Sequence, residues 1–123
     1  MERNMDLIRR IALSTAGLPH GEYLTGLHDV ESDIFGRHAQ WMEEAGLVKA
    51  VITEFLDGTI SANVIRLTWD GCEFVDSVRS DTVWNKAKET IIKPAGSFTF
   101  GILRDWIRTE IQQGLPSLRN FGQ

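Results

Sequence analysis

Between residues 32 and 67 two periodicities meet, and their junction limits the folds open to this chain. Ile34, Phe35, His38, Trp41, Met42 and Ala45 recur at spacings of three and four, which predicts an amphipathic helix opening at Ser32 or Asp33 and ending at Gly46. Gly46-Leu47 suits a left-handed cap with an apolar residue folded back over the last turn, from which a strand can leave. Val48, Ala50, Ile52 and Phe55 supply that strand. The Asp-Gly pair within Leu56-Asp57-Gly58-Thr59 favours positive φ in a tight hairpin, and Ile60, Ala62 and Val64 form the return strand, with Ile65 and Leu67 shifting its phase. A helix leading directly into an antiparallel ribbon makes the chain α+β.

The flanks add helices. Met5, Ile8, Ala12 and Thr15 share one face, with Leu7 and Ile11 beside it, and predict a helix over 5–16 with Asn4 as N-cap and Gly17 as stop. Gly17, Pro19, Gly21 and Gly26 break any helix that follows, leaving room for a short extended piece around Tyr23 to Leu27. Thr68 is placed to cap a helix whose buried side is Cys72, Val75 and Val78, with Phe74 adjacent. Ser80 or Asp81 begins or renews a helix through Val83, Trp84, Ala87 and Ile91, ended by Pro94-Ala95-Gly96. A last helix is expected over about 97–113, with Ile102, Leu103, Trp106, Ile107 and Ile111 apolar, before Gly114 and Pro116 release a polar tail. At 123 residues this is one domain, its core over 1–93 and its C-terminal helix and tail over 94–123.

Charge and cysteine content narrow the classes of function. Thirteen Lys and Arg against seventeen Asp and Glu give a net charge of −4, the wrong sign for a protein that coats phosphate backbones non-specifically. Any nucleic-acid contact must be local. The single cysteine, Cys72, excludes an intramolecular disulfide and a multi-thiolate zinc site and makes a reducing interior the expected compartment. The N-terminus lacks a signal peptide's apolar stretch, and no window reaches the ~18 apolar residues of a membrane span. A cytoplasmic protein without membrane association is expected.

Helix, short extended piece, helix, hairpin and further helices is the order of a winged helix-turn-helix domain. Trp41-Met42-Glu43-Glu44-Ala45-Gly46-Leu47-Val48 resembles the end of a recognition helix entering the wing in bacterial winged-helix regulators. Arg66-Leu67-Thr68-Trp69-Asp70-Gly71-Cys72-Glu73-Phe74-Val75 resembles the passage from wing strand to following helix. With Met5-Asp6-Leu7-Ile8-Arg9, His38 three residues before Trp41, and Asp81-Thr82-Val83-Trp84-Asn85-Lys86, these segments are similar to an uncharacterised bacterial and phage family, a domain of unknown function. The resemblance implies a winged-helix-like fold and a frequent home on mobile elements, and the apolar periodicity after residue 80 adds C-terminal helices to it. It brings no activity with it.

Two binding functions follow as expectations. As a small DNA-associated regulator, the chain would read duplex DNA with Arg37 and Gln40 from the middle of the second helix and hold phosphates with Lys49 and Arg66 from the wing. Residues 29–46, however, carry Asp29, Glu31, Asp33, Glu43 and Glu44 against Arg37 alone. That acidic stretch fits instead a protein-binding inhibitor of a host nucleic-acid complex, its negative face occupying a basic groove and Trp69 reaching the partner. Trp41, Trp84 and Trp106 lie in apolar phase and are expected in the core, whereas Trp69 either packs under the wing or projects. The apolar C-terminal helix is a candidate dimer surface.

For catalysis the inventory is poor. His20, His28 and His38 lie apart, and no phosphate loop, His-Glu-x-x-His or nucleophile elbow occurs. A metal cluster of His28, Asp29, Glu31 and His38 fits no established spacing, so neither metal nor cofactor is expected and the chain reads as non-enzymatic. Cys72 is expected on the buried side of its helix as a small hydrophobe.

Overall fold

Asn4 starts the first helix by a local hydrogen bond: its Oδ1 accepts from Leu7 N at 3.2 Å, satisfying one of the donors a helix N-terminus leaves open. Helix α1 covers Met5–Ala16, and Met5, Leu7, Ile8, Ile11, Ala12 and Thr15 are buried along it, the stripe its periodicity predicts. The computed structural model describes residues 1–92 together with Gly101, Leu103, Asp105, Trp106, Arg108 and Thr109. After α1 the backbone turns at Pro19–Glu22 and again at Leu27–Val30. The expected extended piece is a single antiparallel bridge, in which Leu24 and Val64 exchange hydrogen bonds of 2.9 and 2.8 Å.

Helix α2 covers Ser32–Glu44 and buries Phe35, Gly36, His38, Ala39 and Met42. Its exit is the predicted one: Gly46 has φ +78°, Gly46 N donates to Glu43 O and Leu47 N to Met42 O, and Leu47 is buried over the last turn. The chain then enters β1 (Val48–Glu54), turns, and returns as β2 (Ile60–Leu67) in an antiparallel ribbon. Phe55 N donates to Thr59 O and Gly58 takes φ +90°, so Leu56-Asp57-Gly58 form a three-residue loop. Asp57 Oδ1 accepts from both the hydroxyl and the amide of Thr59, and these bonds hold its carboxyl below the usual range.

The phase shift visible at Ile65 and Leu67 is a β-bulge. Register runs Ala50↔Val64 and then Lys49↔Arg66, leaving Ile65 without an opposite number. On one face Val48, Ile60, Ala62 and Val64 are buried beneath α2; on the other Lys49, Val51, Thr53, Asn63 and Arg66 are exposed.

Helix α3 covers Trp69–Val78. Thr68 caps it as expected, accepting from Gly71 N at 3.0 Å. Its buried side is Gly71, Phe74, Val75 and Val78, and Cys72 is exposed, contrary to the expectation from periodicity. The reason is Gly71: a Cβ there would lie 1.9 Å from Leu47 O, so the missing side chain lets α3 press this face against the Leu47 backbone and turns Cys72 outward. Gly36 plays the same part on α2, where a Cβ would lie 2.5 Å from Ile60 O.

The chain divides into two units between Val75 and Asp76. The second holds α4 (Asp81–Ala87), started by Ser80 Oγ accepting from Val83 N, and a π-helical turn over Lys88–Ile92. Val83, Trp84, Ala87 and Leu103 are buried there, and the six described residues between 101 and 109 are helical. Pro94-Ala95-Gly96 and most of the expected 97–113 helix, with the dimer surface placed on it, lie outside the described residues. Among the described residues the architecture is α+β, with helices and one two-stranded antiparallel sheet. No described helix is long and apolar enough to cross a membrane.

Candidate nucleic-acid interface

Asp33, Gln40 and Glu43 of α2 reach the ribbon on which that helix lies. Val64 spends both its N–H and its C=O on Leu24, so Ala50 opposite turns its own amide toward the free edge of β1. Glu43 Oε1 accepts that amide at 3.4 Å. At the other end of α2, Asp33 Oδ1 accepts at 2.9 Å from Ile60 N, which points away from β1 in the same phase as Val64. Two of the five acidic residues thus satisfy edge amides of the sheet.

Arg37 and Gln40 are also engaged within the fold. Arg37 Nη1 donates to Gln40 Oε1 at 2.8 Å, and Gln40 Nε2 donates to Glu54 Oε1 at 2.9 Å, a chain of bonds from helix to hairpin. Both side chains are half-buried. Asp29 pairs with Arg10 at 2.8 Å, and that hydrogen bond holds the Asp29 carboxyl below its usual range while raising the Arg10 guanidinium. Glu31 and Glu44 remain exposed at opposite ends of α2. The acidic stretch of the sequence is therefore not one continuous face: the fold disperses it.

Lys49 and Arg66 are brought together. They stand directly opposite in the cross-strand register, both exposed, on the face of the hairpin turned away from α2 and so away from Arg37 and Gln40. Arg66 Nη1 donates to Leu67 O at 3.0 Å, and neither cation forms an ion pair with a described residue. Trp69 follows at the first turn of α3. It projects rather than packing under the hairpin, with 79% of its surface exposed. Between the loop after α1 and the β2 bulge runs a groove of about 480 Å³ lined by Pro19, His20, Tyr23, Ile65, Arg66 and Cys72, which sequence periodicity gave no means of anticipating.

His38 is where the chemistry of the sequence misleads most. It is 1% exposed, its Nδ1 donates to Ile34 O at 2.8 Å, and its Nε2 accepts from Asn4 N at 2.9 Å, which fixes the neutral Nδ1–H tautomer. Burial pushes its pKa down, a shift the Ile34 carbonyl partly opposes. The ring thus ties α2 to the N-cap of α1, and Trp41, half-buried instead of core, stands edge-on to it at 5.0 Å. His28 is exposed and Asp29 is held by Arg10, so the four candidate metal ligands are not assembled. Among the described residues no group of three His, Cys, Asp or Glu is arranged to hold a metal ion.

Residues 2–97 match the family described as Hypothetical protein (DUF2513). An uncharacterized protein of Haemophilus influenzae is 33% identical over 118 residues, covering 94% of this chain and 99% of that protein. No solved structure matches the chain.

Proposed function

The chain belongs to the DUF2513 family of hypothetical proteins, and we propose that it is a small, non-enzymatic, winged-helix-type regulator, of bacterial or phage origin, that holds duplex DNA through the outer face of its hairpin. The order α1, Leu24 bridge, α2, hairpin supports the winged-helix assignment. The observation that carries the DNA reading is the Lys49–Arg66 pair. Like charges directly opposite on a ribbon are unfavourable in the free protein, and a phosphate between them relieves the repulsion. Arg37 and Gln40, bonded to each other and to Glu54, contribute orientation of the hairpin rather than base readout.

The reading makes a quantitative demand. Two phosphate contacts release about two counterions, so log Kd should rise with log salt at a slope near 1.8. Anisotropy titration against duplex at about 50 mM salt tests this. Removing either cation as Lys49→Ala or Arg66→Ala should reduce the slope by about 1. Absence of duplex binding at that salt, or a slope unmoved by both substitutions, overturns it. The alternative, an inhibitor that presents its acidic face and Trp69 to a host nucleic-acid complex, draws support from the exposure of Trp69, Glu31 and Glu44. It is the weaker reading because Asp33 and Glu43 are occupied by sheet amides.

A further inference from the structure

Trp69 is the most exposed large aromatic ring of the described chain, well above Tyr23 at 56% and Phe55 at 52%. A tryptophan left in water forgoes a large burial gain, so one held rigidly there calls for a use. Trp69 is held: its Nε1 donates to Glu73 Oε1 at 2.8 Å, one helical turn on. The backbone beneath it is fixed too, since Thr68 Oγ1 caps Gly71 N and donates to Gly46 O. These bonds favour one orientation of the ring, which lowers the entropy a bound base would cost. Arg66 is three residues away, a reach of about 11 Å at most along extended chain, and Lys49 is its cross-strand neighbour.

We propose that Trp69 is a stacking platform for an unpaired base of single-stranded DNA whose phosphates lie on Arg66 and Lys49. The proposal rests on the DNA reading of the hairpin given above. Every base presents a π-face, so an exposed tryptophan three residues along the chain from a cation takes a single strand without regard to sequence; in an intact duplex the same faces are stacked on one another and closed to it. Asp70 and Glu73 flank the ring and bar further phosphates, which leaves the cation pair to set the charge contact at two. The slope of log Kd against log salt for a single strand is then near 1.4, and stacking supplies the larger share of affinity.

Titration of the full chain with an oligo-dT strand of about 12 nucleotides and with a blunt duplex, followed by anisotropy and tryptophan emission, tests this. Single-strand binding should quench part of the emission, and Trp69→Ala should weaken it by roughly 5- to 150-fold while leaving duplex binding within twofold. Trp69→Phe should keep most of the affinity and lose the quench. Because Trp69 is exposed, the thermal transitions of both variants should match that of the parent. Duplex binding with no quench by the single strand, or single-strand affinity unchanged in Trp69→Ala, overturns the stacking role and leaves the hairpin reading intact. Weaker binding to both nucleic acids in Lys49→Ala/Arg66→Ala, with Trp69→Ala affecting only the strand, supports both. Failure of the parent to bind either one overturns both.

Discussion

Helix α2 and the outer face of the hairpin both display charged residues in the sequence, and the fold treats them oppositely. On α2, Asp33 and Glu43 bond to sheet-edge amides, Arg37 and Gln40 bond to one another and reach Glu54, and His38 fixes the start of α1. On the hairpin, Lys49 and Arg66 face each other and the solvent. A side chain is most available to a partner where the fold asks least of it: Arg66 gives one of its five N–H donors to Leu67 O. The helix that looks most like a reader of DNA is the structural keel, and the ribbon it supports carries the exposed charge.

That contrast is broken most forcefully where α2 and α3 touch backbone through glycine. Gly71→Ala would place a methyl 1.9 Å from Leu47 O and Gly36→Ala 2.5 Å from Ile60 O, with backbone rather than a pliable side chain on the other side. Overpacking of this kind costs about 3 kcal/mol. Urea unfolding should show the loss in both variants, larger for Gly71→Ala, whereas Gly26→Ala, with nothing within 4 Å, should unfold almost like the parent.

These glycines also show where legibility ended. The α2–hairpin junction, the Gly46 cap, the bulge at Ile65 and the Thr68 and Ser80 caps follow from local patterns, because capping and alternation are decided within a few residues. Periodicity misplaces Cys72 because a glycine inside a helix reads as a weak point, not as a contact face, and only the distant Leu47 carbonyl makes it one. The candidate site divided in the same way. Lys49 and Arg66 meet because strand register is local, whereas the use of Asp33 by Ile60, 27 positions away, leaves no trace in spacing.

Asp33 supplies the next test. Asp33→Ala leaves the buried Ile60 amide without its acceptor, at a cost of about 2 kcal/mol; Asp33→Asn, which keeps an acceptor oxygen, should recover much of it. Glu31, exposed at the N-cap without a side-chain bond, gives the matched control: Glu31→Ala should fall within about 0.5 kcal/mol of the parent. Equal losses at the two positions would mean that the carboxylates act only through helix electrostatics.

His38 sharpens the comparison through pH. Its pKa is lowered in the folded protein from the ordinary 6.5, so below that value the unfolded chain binds a proton the folded chain refuses. The stabilisation is complete above pH 6.5 and is lost as pH falls through the depressed folded value, because burial disfavours the imidazolium; a protonated Nε2 would also point a donor at Asn4 N–H. The slope is bounded by one proton, about 1.4 kcal/mol per pH unit. Thermal melts from pH 8 to pH 5 should fall off on the acid side, and His38→Gln should flatten that limb although it lowers the plateau.

The smallest effect separates two adjacent carboxylates. Glu43 accepts the Ala50 edge amide through a long 3.4 Å bond, while Glu44, next to it, is exposed. Glu43→Lys replaces an acceptor with a donor facing a donor and should cost about 1 kcal/mol. Glu44→Lys places a cation in the last turn of α2, where the helix dipole favours it, and should gain a few tenths of a kcal/mol. Opposite signs from the same charge reversal at neighbouring positions, measured by urea unfolding, would locate the boundary between the carboxylate the sheet uses and the one it leaves in water. Identical signs would show that α2 lies on the ribbon less closely than the Glu43 and Asp33 bonds require.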